Sequence, residues 1–298
     1  MANQLANQLA NRLANQLAKK SVLFAGTTTM LLMGAQVAEA GQLHQGWNYS
    51  IDAAGDGSGG ATFDIKGIAI KETADDIYVA ISANFPLAGI ADSNATGQNV
   101  GWGDLFFDFG SGTFNDANAN SSLFAVNFAT GTDSAAAQIG VYGGVTAKSV
   151  GLQNSGYSTL KNYYKAGHEK ENTFGGDFST KESIYQYYAG NNTGESTLIN
   201  NVIGSGTRLG DINFVNEQAA AAAGLDFDSF NAVGQEQIAF KFDRDLLPSH
   251  SFIAHLLLEC ANDGVAISGD FAKDVPEPGA IAGLALFGLL ATRLRRRS

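Results

Sequence analysis

The chain has 298 residues and a formal net charge of −11 at pH 7, with 45% hydrophobic residues, 36 glycines, 4 prolines and one cysteine. That apolar fraction excludes a disordered chain, and a single cysteine excludes an intramolecular disulfide. Residues 41–275 hold 27 acidic and 11 basic groups, a net of −16, which excludes binding of nucleic acid or anionic lipid by charge alone.

Residues 2–17 repeat Ala-Asn-Gln-Leu, with Arg12 replacing one Gln and leucines at 5, 9, 13 and 17. The repeat reads either as a low-complexity extension of an export signal or as a membrane-surface helix. Lys19 and Lys20 then precede an apolar stretch from Ser21 to Val37, and Ala38-Glu39-Ala40 fits the small-x-small cleavage rule. These features predict a signal peptide over 1–40, cut after Ala40 to leave Gly41 as the first mature residue.

Residues 41–275 read as one all-β domain. In 62–72 the phase slips between Phe63 and Ile65 on one side of Gly67 and Ile68 and Ile70 on the other. A β-bulge at Gly67 would return both sets to the core. Ile77, Val79, Ile81 and Ala83 alternate with more polar neighbours, as do Leu105, Phe107 and Phe109, and then Phe124, Val126 and Phe128. Period two with aromatic and β-branched residues marks half-buried strands. Residues 153–207 are polar and tyrosine-rich and read as a long loop or an elaborated sheet edge. Residues 216–224, with five consecutive alanines, predict one short helix. Ile238, Phe240 and Phe242, and then Phe252 to Cys260, resume the alternation. Many short strands separated by Gly, Asn and Asp suggest a β-sandwich of jelly-roll type.

The last segment, 276–298, has three parts. Pro276-Glu277-Pro278 breaks any helix, Ala280 to Thr292 is apolar, and Arg293, Arg295, Arg296 and Arg297 close the chain. The apolar run is shorter than the ~20 residues that span hydrocarbon comfortably. The arginines would hold the preceding domain outside the membrane through a C-terminal hydrophobic helix. This order of features resembles the PEP-CTERM sorting signal. The resemblance implies an exosortase as membrane partner, handling near Pro276-Glu277-Pro278, and a host that makes extracellular polysaccharide. Within the body, Gly101-Trp102-Gly103-Asp104-Leu105-Phe106-Phe107, and His255 with Glu259-Cys260-Ala261-Asn262-Asp263, resemble stretches of cyanobacterial exosortase-dependent surface proteins. That pattern carries Gly after the cysteine, where this chain has Ala261. The resemblance implies no chemistry and no site.

No catalytic constellation emerges. Asp104 and Asp108 lie about 13 Å apart if extended, beyond the roughly 5–9.5 Å of paired glycosidase carboxylates. Asp226/Asp228 and Asp243/Asp245 read as strand-end acids. His44, His168, His250 and His255 form no His-Glu-x-x-His pattern. His255 reads as a hydrogen-bonded structural residue and Cys260, in phase with Leu256 and Leu258, as buried and inert. Gly204-x-Gly206 lacks the spacing and lysine of a phosphate loop. Calcium is the one cofactor suggested. Asp52 and Asp56 sit on a flexible loop, and Asp116, Asn118 and Asn120 match the first, third and fifth ligands of a calcium loop. Ser121 and Asn127 depart from the EF-hand pattern.

The expectation is an exported surface or matrix protein, associated with extracellular polysaccharide and without catalysis of its own. A carbohydrate-binding module using Trp47, Trp102 and the tyrosines of 157–188 is the alternative. A matrix glycan hydrolase is the second.

Overall fold

The computed structural model describes residues 41–56, 58–166, 177–178, 180–191 and 197–272. The expected signal peptide, including Ala38 and Ala40, and the sorting segment from Pro276 to Arg297 lie outside them. Among the described residues no helix is long and apolar enough to cross a membrane.

The fold is all-β, built from antiparallel strands. The first sheet takes β1 (Gln42–His44), β2 (Trp47–Ile51), β3 (Ile65–Glu72) and β4 (Asp76–Ala83) in chain order. A two-stranded ribbon follows, β5 (Ile90–Ala91) with β6 (Asn99–Val100). The second sheet takes β7 (Leu105–Asp108), β8 (Leu123–Asn127), β9 (Gly140–Lys148) and β10 (Val202–Gly210). The chain then returns to the first sheet with β11 (Asn213–Phe214) and β12 (Glu236–Asp243), and to the second with β13 (Ser251–Leu257) and β14 (Gly264–Asp270). Each sheet has six strands, ordered β1-β2-β3-β4-β12-β11 and β10-β9-β8-β7-β13-β14.

The alternating residues meet in one cluster. Ile77, Val79 and Ile81 of β4 and Ile238, Phe240 and Phe242 of β12 pack with Leu105 and Phe107 of β7 and Ala254 and Leu256 of β13. Burying a side chain of this size contributes about 1.5–3 kcal/mol. The bulge expected at Gly67 is present. The β3–β4 register shifts between Ile65 and Gly67, and Ile65, Ile68 and Ile70 all reach the cluster. A Cβ at Gly67 would lie 2.6 Å from the Ser50 carbonyl oxygen.

The inner strands β4, β7 and β8 are buried on nearly all of both faces, which corrects the half-buried expectation for them, whereas β10 is exposed from Ser205 to Leu209. The outer face of the first sheet presents Ala69, Ala80 and Ala239, and Ala220, Phe227 and Ala232 cover it. Small residues there let the covering segment approach closely. The outer face of the second sheet presents Phe106, Leu123 and Val145, which pack against Leu160, Tyr185 and Tyr187.

Those covering residues also correct the long-loop reading of 153–207 and the single helix, while β10, from Val202, forms the edge of the second sheet. Four short helices are described: α1 (Phe114–Ala119), α2 (Leu160–Lys165), α3 (Lys181–Ala189) and α4 (Glu217–Ala222). The last is the expected alanine helix. Thr159 and Thr180 start α2 and α3, each hydroxyl accepting a backbone N–H two or three positions into the helix.

Candidate metal centre

Asp52 and Asp56 follow β2, on a turn where Gly59 and Gly60 take φ of 91° and 95°, a conformation open to glycine. Asp263 immediately precedes β14. The two strands meet at a seam between the sheets, where the Asn48 side-chain amide donates to the Ser268 carbonyl at 2.9 Å and Ser50 donates to Ala266. This seam brings Asp52, Asp56 and Asp263 together, with one carboxylate oxygen from each within 4.8 Å of the others.

Asp52 is 5% exposed and Asp263 1%. Asp52 Oδ1 accepts the Ala53 N–H at 2.9 Å. Its Oδ2 is buried and has no hydrogen-bond partner among the described residues. Asp263 is held from both sides: Oδ2 accepts the Ile65 N–H at 2.7 Å and Oδ1 accepts the Gly264 N–H at 2.9 Å. Burial holds the Asp52 carboxyl well above the ordinary range, and the charges of Asp263, Asp56 and Asp177 add to the effect. Asp263 is raised for the same reason, with Asp56 adding and the two N–H donors opposing. Removing charged carboxylates from water is costly unless a proton or a cation neutralises them.

The cluster lines a cavity of about 210 Å³ with Tyr163, Tyr164 and His255 in its wall. Asp177 and Lys181 also line it, and Asp177 accepts the Ala266 N–H at 2.8 Å. Burial raises the Tyr163 hydroxyl, with the charges of Asp263 and Asp56 adding to it. His255 is stacked on Phe106, edge-on to Phe114, and bonded through Nδ1 to the Tyr187 hydroxyl at 3.0 Å. Burial lowers its pKa to about 3, so the ring is neutral. The clustered donors, one oxygen each from Asp52, Asp56 and Asp263, are all carboxylates, a set suited to a hard cation rather than to zinc.

Asp116, Asn118 and Asn120 do not join this centre. The expected calcium loop is helix α1, because Thr113 and Asp116 form a capping box at its start. The Asn118 side chain exchanges hydrogen bonds with the Ala147 backbone, and Asn120 closes the helix. Asp104 is buried under Asn127, Ser134 and the Ile203 N–H, and burial pushes its carboxyl up to about 6. Asp226 receives Ser229 and lies 3.2 Å from His44. Asp243 caps a short 3-10 turn. Cys260 is buried, which pushes its thiol up to about 12. Trp47 and Trp102 are fully buried and offer no face to a sugar. Tyr185, Tyr187 and Tyr188 are buried as well.

Sequence reasoning missed Asp263 and Asp177. The signal for Asp263 was present, since it ends the Glu259–Asp263 stretch that resembles exosortase-dependent proteins. The two resembling stretches in fact pack on each other. Trp102 bridges to Leu258, the Gly103 N–H donates to the Leu257 carbonyl at 2.9 Å, and β7 pairs with β13. Compared with protein-family models, with curated proteins and with solved structures, the chain matches none of them.

Proposed function

We propose that residues 41–275 are the exported body of a cell-surface or extracellular-matrix protein, processed by an exosortase-type system and associated with extracellular polysaccharide, with no catalytic activity of its own. The observation that carries this reading is the pair of addresses on one chain. A signal peptide ending Ala38-Glu39-Ala40 precedes the body, and Pro276-Glu277-Pro278, an apolar run and an arginine cluster follow it. In this reading the C-terminal helix holds the protein in the membrane until the exosortase acts.

A body whose inner strands are covered on both faces suits a durable extracellular component. The sheets, sharing one hydrophobic cluster, are read as a β-sandwich. Their uninterrupted runs β1–β4 and β7–β10 favour paired meanders over the alternating strands of a jelly roll. The carbohydrate-binding alternative loses Trp47 and Trp102 as stacking platforms and rests on Tyr157, Tyr163 and Tyr164, which are half-buried.

The test is replacement of Pro276, Glu277 and Pro278 together by alanine in the native host. Under this reading the variant keeps its arginine tail and accumulates in the membrane, while the parent chain loses the tail. Equal processing of both chains would remove the exosortase from the account.

A further inference from the structure

We propose that Asp52, Asp56 and Asp263 hold one calcium ion at the wall of the cavity, and that the ion pins the end of β2 to the start of β14. The expected affinity class rests on the exported reading. The site itself rests on geometry.

Three observations converge. Three carboxylate oxygens lie within 4.8 Å of one another, inside the roughly 4.6–5.2 Å that separates oxygens across a calcium ion coordinated at about 2.3–2.6 Å. Asp52, 5% exposed, lines the cavity with a buried Oδ2 that accepts no hydrogen bond among the described residues. A buried carboxylate oxygen left in this state is costly, and a cation satisfies it. The cavity, about 210 Å³, has room for the waters that complete a calcium shell. Calcium is favoured over magnesium because the donors come from a glycine-rich turn and a strand start, and magnesium demands a near-ideal octahedron.

The site is structural in kind. Asp52 directly follows the first sheet's β2 and Asp263 directly precedes the second sheet's β14, so an ion bound to both opposes opening of the seam. Lys181 also lines the cavity and is the rival source of positive charge. The two differ in one respect: only the ion makes stability depend on added calcium.

Terbium replaces calcium and emits when a nearby tyrosine is excited, and Tyr163 and Tyr164 line the same cavity. The full chain in detergent is titrated with terbium, then with calcium. The expected result is sensitised emission that millimolar calcium displaces, with Asp52→Asn and Asp56→Asn each weakening binding at least tenfold and Asp116→Asn leaving it unchanged. Calcium at 10 mM is expected to raise Tm by about 3–10 °C over EDTA, for a dissociation constant in the extracellular range of about 10⁻⁴–10⁻³ M. Should Asp52→Asn lose its near-ultraviolet dichroism, the less buried Asp56→Asn decides. No sensitised emission, or emission and Tm unaltered in Asp56→Asn, overturns the site, whatever the cellular location of the protein.

Discussion

Glu259 and Gly101 hold each other through two hydrogen bonds. The Glu259 N–H donates to the Gly101 carbonyl at 3.0 Å, and the Gly101 N–H donates to Glu259 Oε2 at 2.8 Å. Glu259 Oε1 also accepts the Asp133 N–H, so one buried carboxylate ties three segments of chain. The Asn201 side-chain amide adds bonds to the Leu258 and Glu259 carbonyls at 2.9 and 2.8 Å. Glu259→Gln substitutes a donor for one acceptor and strands a buried N–H. A loss of about 1–3 kcal/mol is expected, read as a lower urea midpoint.

Stability should fall as pH rises from 6.5 to 8. Burial raises Glu259 to about 7 from an ordinary 4.5, and raises Asp104 to about 6 from 3.8. In those windows the folded state binds more protons than the unfolded one, so raising pH destabilises it. Asp52 and Asp263 act with the same sign. His255 opposes them below 6.5, because its folded pKa of about 3 lies under the ordinary 6.5. Above 6.5 the opposition fades, from half a proton at pH 6.5 to almost none at pH 8, and is the smaller effect. Urea midpoints at pH 6.5 and 8, in EDTA, check the sign, and Glu259→Gln should flatten the slope. A midpoint that rises over this interval would contradict these assignments.

Ala261 takes a φ of +51°. Left-handed backbone costs an L-residue about 1–2 kcal/mol, a cost that glycine does not carry. Ala261→Gly removes that cost but gives up a buried methyl worth about 0.8 kcal/mol. The net expectation is a gain of about 0.5 kcal/mol, seen as a small rise in the urea midpoint. A fall would mean that methyl packing outweighs the strain.

Gly103→Ala should be among the most damaging changes. Its Cβ would lie 2.4 Å from the Asn201 carbonyl oxygen and 2.5 Å from that of Leu257, both rigid backbone. The cost is about 3 kcal/mol, at the upper end of overpacking. Soluble yield and the unfolding midpoint should both drop sharply, and a midpoint within 0.5 kcal/mol of the parent, on the order of surface substitutions, would contradict the close approach.

Six strands, β3, β4, β7, β8, β12 and β13, were legible because alternation is local. Ile77, Val79 and Ile81 each report their own face, and the phase slip around Gly67 marks its bulge. The covered outer faces were not legible. Ala69, Ala80 and Ala239 look like neutral spacers until a distant segment lies over them. Helices α2 and α3 were hidden by asparagine and tyrosine, which are indifferent helix formers, although Thr159 and Thr180 were visible caps. The acidic centre was half legible. Asp52 and Asp56 are neighbours, whereas Asp263 joins them only through the β2–β14 seam. The spacing of Asp116, Asn118 and Asn120 suggested ligands, but Thr113 three residues before Asp116 was the stronger local signal, a helix start.

Export and removal of the terminal address are read from the intact mass and N-terminal sequence of the protein isolated from its native host. The expected mature chain begins at Gly41 and ends near Pro276-Glu277-Pro278. A membrane-bound chain that still carries Arg295, Arg296 and Arg297 would contradict it and leave the tail as a simple anchor.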